Sequence, residues 1–210
     1  FSDHPVVDAA QRIYAVPYGT GWLVRGSTAA AGSIVEWARR LMGVDFETFD
    51  ALAGGAAAGA GGLVLLPYHA GARSPLWQPH ARGVLGGLSL TSGRAEFARS
   101  VYEGLACSLR HIVESVEGCG APVIDIRLSG GLARSAVLSQ IKADILGKPL
   151  TALADTELTT IGLAIIAIEI LSRIPVAHRV GRPSERSIHR AEQHDPGDAQ
   201  TGARPTTELR

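Results

Sequence analysis

Val123-Ile124-Asp125-Ile126-Arg127-Leu128-Ser129-Gly130-Gly131-Leu132-Ala133-Arg134-Ser135 is the stretch on which the fold class turns. Its apolar run, residues 123–128, predicts a strand, and the pattern from about residue 134 to 146 predicts a helix directly behind two glycines. A strand that ends in Gly130-Gly131 and turns straight into a helix leaves backbone N–H groups without partners at the helix start. With no side chains on the turn, a ligand can come close to the main chain. The positive end of the helix dipole favours an anion at that place. The residues alone leave two readings open, a plain tight connection and a phosphate cradle. No Gly-Lys-Ser/Thr follows, so this is not a Walker-type phosphate loop, and the spacing is not the GxGxxG of dinucleotide-binding turns.

Outward from this turn, strands and helices alternate. Residues 149–153 predict a short strand and 157–172 a Gly-, Ala- and Ile-rich helix. On the other side, residues 93–117 form a long amphipathic helix with Phe97, Val101, Leu105, Leu109 and Ile112 on one face. Residues 63–66 and 83–88 predict strands separated by a loop rich in Gly, Arg and Pro. Residues 12–16 and 22–26 predict two strands joined by a turn. Ser27 and Thr28 are candidate N-caps of a helix running to Met42 and stopped by Gly43, with Ile34, Trp37, Ala38 and Leu41 facing the core. Residues 45–52 read as a further short helix and 53–62 as a Gly/Ala linker. The alternation predicts a layered α/β domain over residues 1–177. Residues 178–210 are polar and charged with almost no apolar anchors, and predict a disordered tail.

Composition narrows the function. Twenty basic and twenty acidic residues give the chain a formal charge of zero, so nothing points to nucleic acid or to an anionic membrane surface. The apolar run 161–171 is too short to span a bilayer. Cys107 and Cys119 lack CxxC spacing and read as idle thiols of a reducing compartment, which makes the expected location cytoplasmic. The seven histidines are scattered without metal-ligand spacing. The chain opens on Phe1 rather than Met, so its start reads as a cut within a longer protein.

Several separated motifs then carry a resemblance. Gly83-x-Leu85-x-Gly87-Leu88, seven residues, then Glu96-Phe97-x-x-Ser100-Val101-Tyr102-Glu103 resembles the second signature of the FGGY carbohydrate kinases. Leu65-Leu66-Pro67-Tyr68 and Gly71-x-Arg73-Ser74-Pro75-x-Trp77-x-Pro79-x-Ala81-Arg82-Gly83 resemble the loop and strand that precede that signature. Ser129-Gly130-Gly131-x-Ala133-Arg134-Ser135 resembles the family's adenosine motif, and Glu157-x-Thr159-Thr160-x-Gly162 the start of its last helix. The motifs fall in the family's order over about residues 12 to 172, and their wording is nearest to xylulokinase- and gluconokinase-like members.

The resemblance implies an actin-like, ribonuclease-H-like ATPase fold, a mixed sheet flanked by helices, of which this chain is the C-terminal half. It implies ATP and Mg²⁺ as cofactors. It places Ser129, Gly130, Gly131, Arg134 and Ser135 against the nucleotide, with Ser135 able to reach the adenine. Gly32 and Glu36 stand at the contacting positions of the family's other nucleotide segment. The sugar would be held mainly by an N-terminal domain, which also carries the phosphate-gripping Asp-Gly-Thr segment and the catalytic aspartate; no residue here is expected to be catalytic. An apolar face toward that domain leaves association into a homodimer open. Two departures stand out: Ala72 occupies the place of the usual Glu of a Gly-Glu-Arg loop, and Leu163 that of a small residue. Arg73 is expected to tie its loop to backbone carbonyls, and Glu103 to make a buried hydrogen bond. The alternative function is a non-catalytic, actin-like nucleotide-sensing or partner-binding module.

Overall fold

The structure is a computed structural model, and it describes residues 2–153 and 158–173. The expected tail, residues 178–210, and Glu157 of the last motif lie outside the described residues. The chain divides into two compact units, Phe1–Gly162 and Leu163–Arg210.

The first unit is organised by one long helix. Its elements in order are β1 (Tyr14–Tyr18), β2 (Gly21–Arg25), α1 (Gly32–Met42), α2 (Phe46–Gly55), β3 (Val64–Leu66), β4 (Val84–Gly86), α3 (Arg94–Glu117), β5 (Ile126–Leu128), α4 (Ala136–Leu146) and β6 (Leu150–Ala152). Helix α5 (Leu158–Arg173) starts in the first unit and runs into the second. Its sequence is strongly apolar, yet Leu163, Ile165, Ile168 and Ile170 are exposed. No helix among the described residues is long and apolar enough to cross a membrane.

Among the described residues both strand senses occur, in three two-stranded ladders where the resemblance implied a mixed sheet. β1 and β2 pair antiparallel across the Gly19-Thr20 turn, β3 and β4 pair antiparallel, and β5 and β6 pair parallel. Four of the six strands are only three residues long, which gives each ladder few hydrogen bonds and little surface on which to add a further strand. The parallel pair matches Ile126 with Leu150 and Leu128 with Ala152, and its crossover is α4, so β5–α4–β6 is a βαβ unit.

The core lies where α3 meets α1, α2, α4 and β3. Val101, Tyr102, Leu105 and Ala106 of α3 pack with Ile34, Val35 and Ala38 of α1, Phe49 and Ala53 of α2, and Leu138 and Ile141 of α4. Phe49 and Tyr102 meet edge to face, their ring centroids 5.5 Å apart. Leu109 is only half-buried, whereas Ala98, Ser100 and Tyr102 are buried, so the buried stripe of α3 is wider than its large apolar residues indicate.

Helix α1 departs from expectation in its start and in its buried stripe, but not in its end. It begins at Gly32 with Ala31 at the N-cap and no side-chain cap, so Ser27 and Thr28 lie outside it. The chain just before is pinned elsewhere: a Cβ on Gly26 would lie 2.5 Å from Ile112 Cγ2 of α3 and 3.2 Å from Ser74 Cβ, so residues 27–31 serve as a connector. Gly43 does end the helix, in the left-handed conformation (φ 66°), donating to the carbonyls of Arg39 and Arg40. The buried stripe is Ile34, Val35 and Ala38, while Trp37 and Leu41 are 38% and 66% exposed. Period alone could not choose between these flanks, which are one residue (about 100°) apart on the helix. Trp37 instead lies against His69, ring centroids 4.4 Å apart, with Phe97 at 6.3 Å.

Helix α2 starts where Asp45 accepts from the Thr48 N–H at 2.8 Å, and it continues three residues further than expected into the Gly/Ala stretch. Glu103 takes the structural part assigned to it: with a side chain 17% exposed, it accepts from the Gly59 N–H at 2.9 Å and pairs with Arg99 at 2.7 Å. Arg73 is exposed and makes no bond to a backbone carbonyl among the described residues. Both cysteines are free, with Cys107 exposed and Cys119 half-buried.

Two predictions follow from this packing. A Cβ on Gly104 would stand 2.4 Å from the Leu65 carbonyl oxygen, so Gly104→Ala must push α3 off β3. Its urea unfolding should show a loss of about 1–3 kcal/mol, the usual cost of overpacking. His69 has a buried Nδ1 without a hydrogen-bond partner, and burial lowers its pKa below the ordinary imidazole value. Near pH 6.5 the unfolded chain binds a proton there that the native chain refuses. Stability therefore falls as pH drops through about 6.5, and unfolding midpoints should show a shallower decline in His69→Phe than in the wild type.

Candidate nucleotide-binding cleft

The βαβ unit shapes the turn that the sequence singled out. Gly130 has φ 88° and ψ 175°, a backbone region open in practice only to glycine. The chain does not pass directly from the glycines into α4, as expected, but makes one turn of 3₁₀ helix, Gly131–Arg134, before Ser135 caps α4. The first bond of that turn runs from the Ala133 N–H to the Gly130 carbonyl at 3.0 Å, so the N–H groups of Gly131 and Leu132 stand ahead of it. A Cβ built on Gly131 meets no atom within 4 Å, so the space beside it is open.

Ser135 is 2% exposed, and its hydroxyl serves two partners. It accepts from the Leu138 N–H at 2.8 Å, closing the N-terminus of α4, and donates to the Asp50 carboxylate of α2. The same Asp50 oxygen accepts from the Tyr102 hydroxyl of α3 at 2.9 Å. Burial, and then the Asp50 hydrogen bond, push the Tyr102 phenol well above its usual pKa, so it stays a donor at any pH at which the fold persists. Ser135 thus holds the turn in place and does not point a free hydroxyl into solvent.

A cleft of about 1060 Å³ opens over this network between α1, α2 and the start of α4. Gly32, Glu36, Ser129, Gly131, Arg134 and Ser135 all line it, and Gly130 lies directly behind as the residue that bends the chain. Segments about a hundred residues apart in sequence are thereby brought together. The Glu36 carboxylate is held by the Arg39 guanidinium through contacts of 2.6 and 2.8 Å, and by Arg40 at 3.1 Å. Gly32 lies in ordinary contact with Leu132, 3.9 Å from its Cγ to a built Cβ.

Sequence reasoning did not pick out Asp50, Phe46, Arg39 or Lys142, which share the lining. Asp50 carried a signal: it is an acid beside Phe49 and three residues before Ala53 on the stripe that α2 buries. Lys142 carried another, since it follows Ser135 by seven residues, two helical turns, on one face of α4. The lining combines apolar surface from Val35, Phe46 and Leu132 with cations from Arg39, Arg134 and Lys142 and the N–H groups of the glycine turn. A ligand with a flat apolar body and an anionic end matches this arrangement. No group of three or more His, Cys, Asp or Glu that could hold a metal ion occurs among the described residues.

Residues 2–169 match the model of the FGGY family of carbohydrate kinases, C-terminal domain. The chain belongs to this family. It is similar to a glycerol kinase of Dechloromonas aromatica, 34% identical over 151 residues that make up 70% of this chain and 30% of that one. Among solved structures it resembles the ligand-bound xylulose kinase of Lactobacillus acidophilus, with TM-score 0.73 and 27% identity over 81% of this chain and 36% of that one. The gluconate kinase of the same organism gives TM-score 0.72 and 27% identity, with the same coverage. The α/β architecture is thus that of the actin-like FGGY kinases. The chain spans about a third of the length of the relatives it matches.

The cleft analysis predicts coupling through Asp50. Tyr102→Phe should lower stability in urea by about 1.5–3 kcal/mol, the usual contribution of a hydrogen bond to a charged group. Ser135→Ala should cost about 1 kcal/mol as a lost N-cap. The double variant should depart from the sum of the two by at least about 0.5 kcal/mol, because both hydroxyls serve one carboxylate.

Proposed function

We propose that this chain is the nucleotide-holding part of an ATP-dependent carbohydrate kinase, acting in the cytoplasm. The observation that carries the reading is the glycine turn of the β5–α4–β6 unit opening on the same cleft as Gly32 and Glu36 of α1. In this reading the N–H groups of Gly131 and Leu132 face the phosphates near the adenosine. Arg134 and Arg39 contribute positive charge, and Val35, Phe46 and Leu132 flank the base. Gly130 supplies the bend, and Ser135 acts as a positioning residue through Asp50. Mg²⁺ arrives on the phosphates of the nucleotide as part of the substrate.

Phosphoryl transfer from ATP to an alcohol group needs alignment and charge stabilisation more than covalent participation. The described residues supply the first of these on the nucleotide side. The base that takes the acceptor's proton and most contacts to the sugar belong to the remaining two thirds of a full-length kinase. The acceptor class is a polyol, sugar or sugar acid, in keeping with the glycerol, xylulose and gluconate kinases to which the chain is similar.

Calorimetric titration of Mg-ATP and Mg-ADP into the 210-residue chain tests this. Binding is expected with Kd on the order of 0.1–1 mM, about 4–5.5 kcal/mol. Gly131→Val should remove it while leaving the fold intact, since its Cβ meets no protein atom. Undiminished binding in Gly131→Val would move the nucleotide elsewhere and sink the proposal.

A further inference from the structure

Lys142 is a cation in the cleft that neither the glycine turn nor the Asp50 network uses, and unlike Arg39 it makes no ion pair among the described residues. It lines the cavity from the second turn of α4, half-buried. The carboxylates around it are engaged or distant. Asp50 takes the Tyr102 and Ser135 hydroxyls, Glu36 is paired with Arg39 and Arg40, and neither they nor Glu47 comes within ion-pair distance of Lys142 among the described residues. Desolvation lowers its pKa, which is the mark of an ammonium removed from water without a compensating partner.

Its position along α4 says which part of a ligand it would meet. Ser135 and Lys142 are seven residues apart, about 10 Å along the helix and within about 20° of the same face. That matches the reach from the phosphate next to the ribose to the far edge of a purine. With the phosphates at the glycine turn, a base lying between Val35 and Phe46 would present its six-membered ring to Lys142, which shares the lining with them. An ammonium only donates hydrogen bonds. At purine position 6 it is attracted by a carbonyl oxygen and repelled by the amino group of adenine, itself a donor at that place.

We infer that Lys142 reads position 6 of the purine and makes this chain accept 6-oxopurine nucleotides beside adenine nucleotides. The inference rests on the nucleotide reading of the cleft. The test is calorimetric titration of Mg-ADP and Mg-IDP, whose bases differ at position 6, into wild type, Lys142→Met and Lys142→Arg. Lys142→Met should weaken IDP about tenfold, the loss of a hydrogen bond to a charged group. ADP should change less than about threefold, and Lys142→Arg, which keeps the charge and donors, should leave the ADP-to-IDP ratio near that of wild type. If Lys142→Met does not fold by circular dichroism, Lys142→Gln takes its place with the same expected rise in the ratio. Nucleotide binding that Gly131→Val removes, with a ratio that no substitution of Lys142 alters, overturns the role of Lys142 alone. Failure of wild type to bind either nucleotide overturns both this role and the reading of the cleft.

Discussion

The Asp50 carboxylate is the constraint around which the rest is arranged. It is carried by α2, yet its partners are the Tyr102 hydroxyl of α3 and the Ser135 hydroxyl at the head of α4. Three helices are tied at one point, and that point lies immediately beneath the glycine turn. Asp50 is half-buried, and a carboxylate drawn partly out of water is costly unless its lone pairs are filled. Each hydroxyl therefore matters to the other, and the turn inherits its position from a network formed before any ligand arrives. The apolar packing around it, Phe49 on Tyr102 and Leu138 on the α3 stripe, supplies bulk stabilisation but no direction. Orientation comes from the polar contacts.

Much of this was legible in the sequence because it is written in local rules. Gly43 after a helix and Gly130-Gly131 between a strand and a helix each constrain a few neighbouring residues, and each has a place in the structure. The grouping of Gly32 and Glu36 with the glycine turn is long-range and was inferred from resemblance; nothing in the spacing of the chain would have placed α1 beside α4. What local pattern could not supply was the rotation of α1. Ile34, Val35 and Ala38 face α3 while Trp37 and Leu41 flank them, a choice made by the helix that α1 packs on. Likewise Ser27 and Thr28 have the chemistry of N-caps, but the close approach of Gly26 to Ile112 reserves the following residues for a connector.

Asp50 and Lys142 went unread for a related reason. A lone acid or a lone lysine on an otherwise apolar helix is ordinarily a solvated edge residue. Its meaning depends on what stands opposite, and for Asp50 that is Tyr102 on another helix, 52 residues away. The turn itself showed a smaller difference: the extra 3₁₀ residues Gly131–Arg134 displace the helix start to Ala136, so that residues of the turn line the cleft together with the cap of α4.

The place of Trp37 has a consequence of another kind. Its indole is half-exposed, rests on the His69 ring and belongs to the residue next to Glu36, which lines the cleft. The other two tryptophans lie apart from that opening, Trp22 in the β1–β2 ladder and Trp77 hydrogen-bonded to the Gln11 carbonyl. The molecule thus carries an intrinsic fluorophore on the helix that forms one side of its cavity, a single residue from the lining. A shift of α1 would alter the stacking of indole on imidazole, and with it the colour and intensity of the emitted light, without any label being attached.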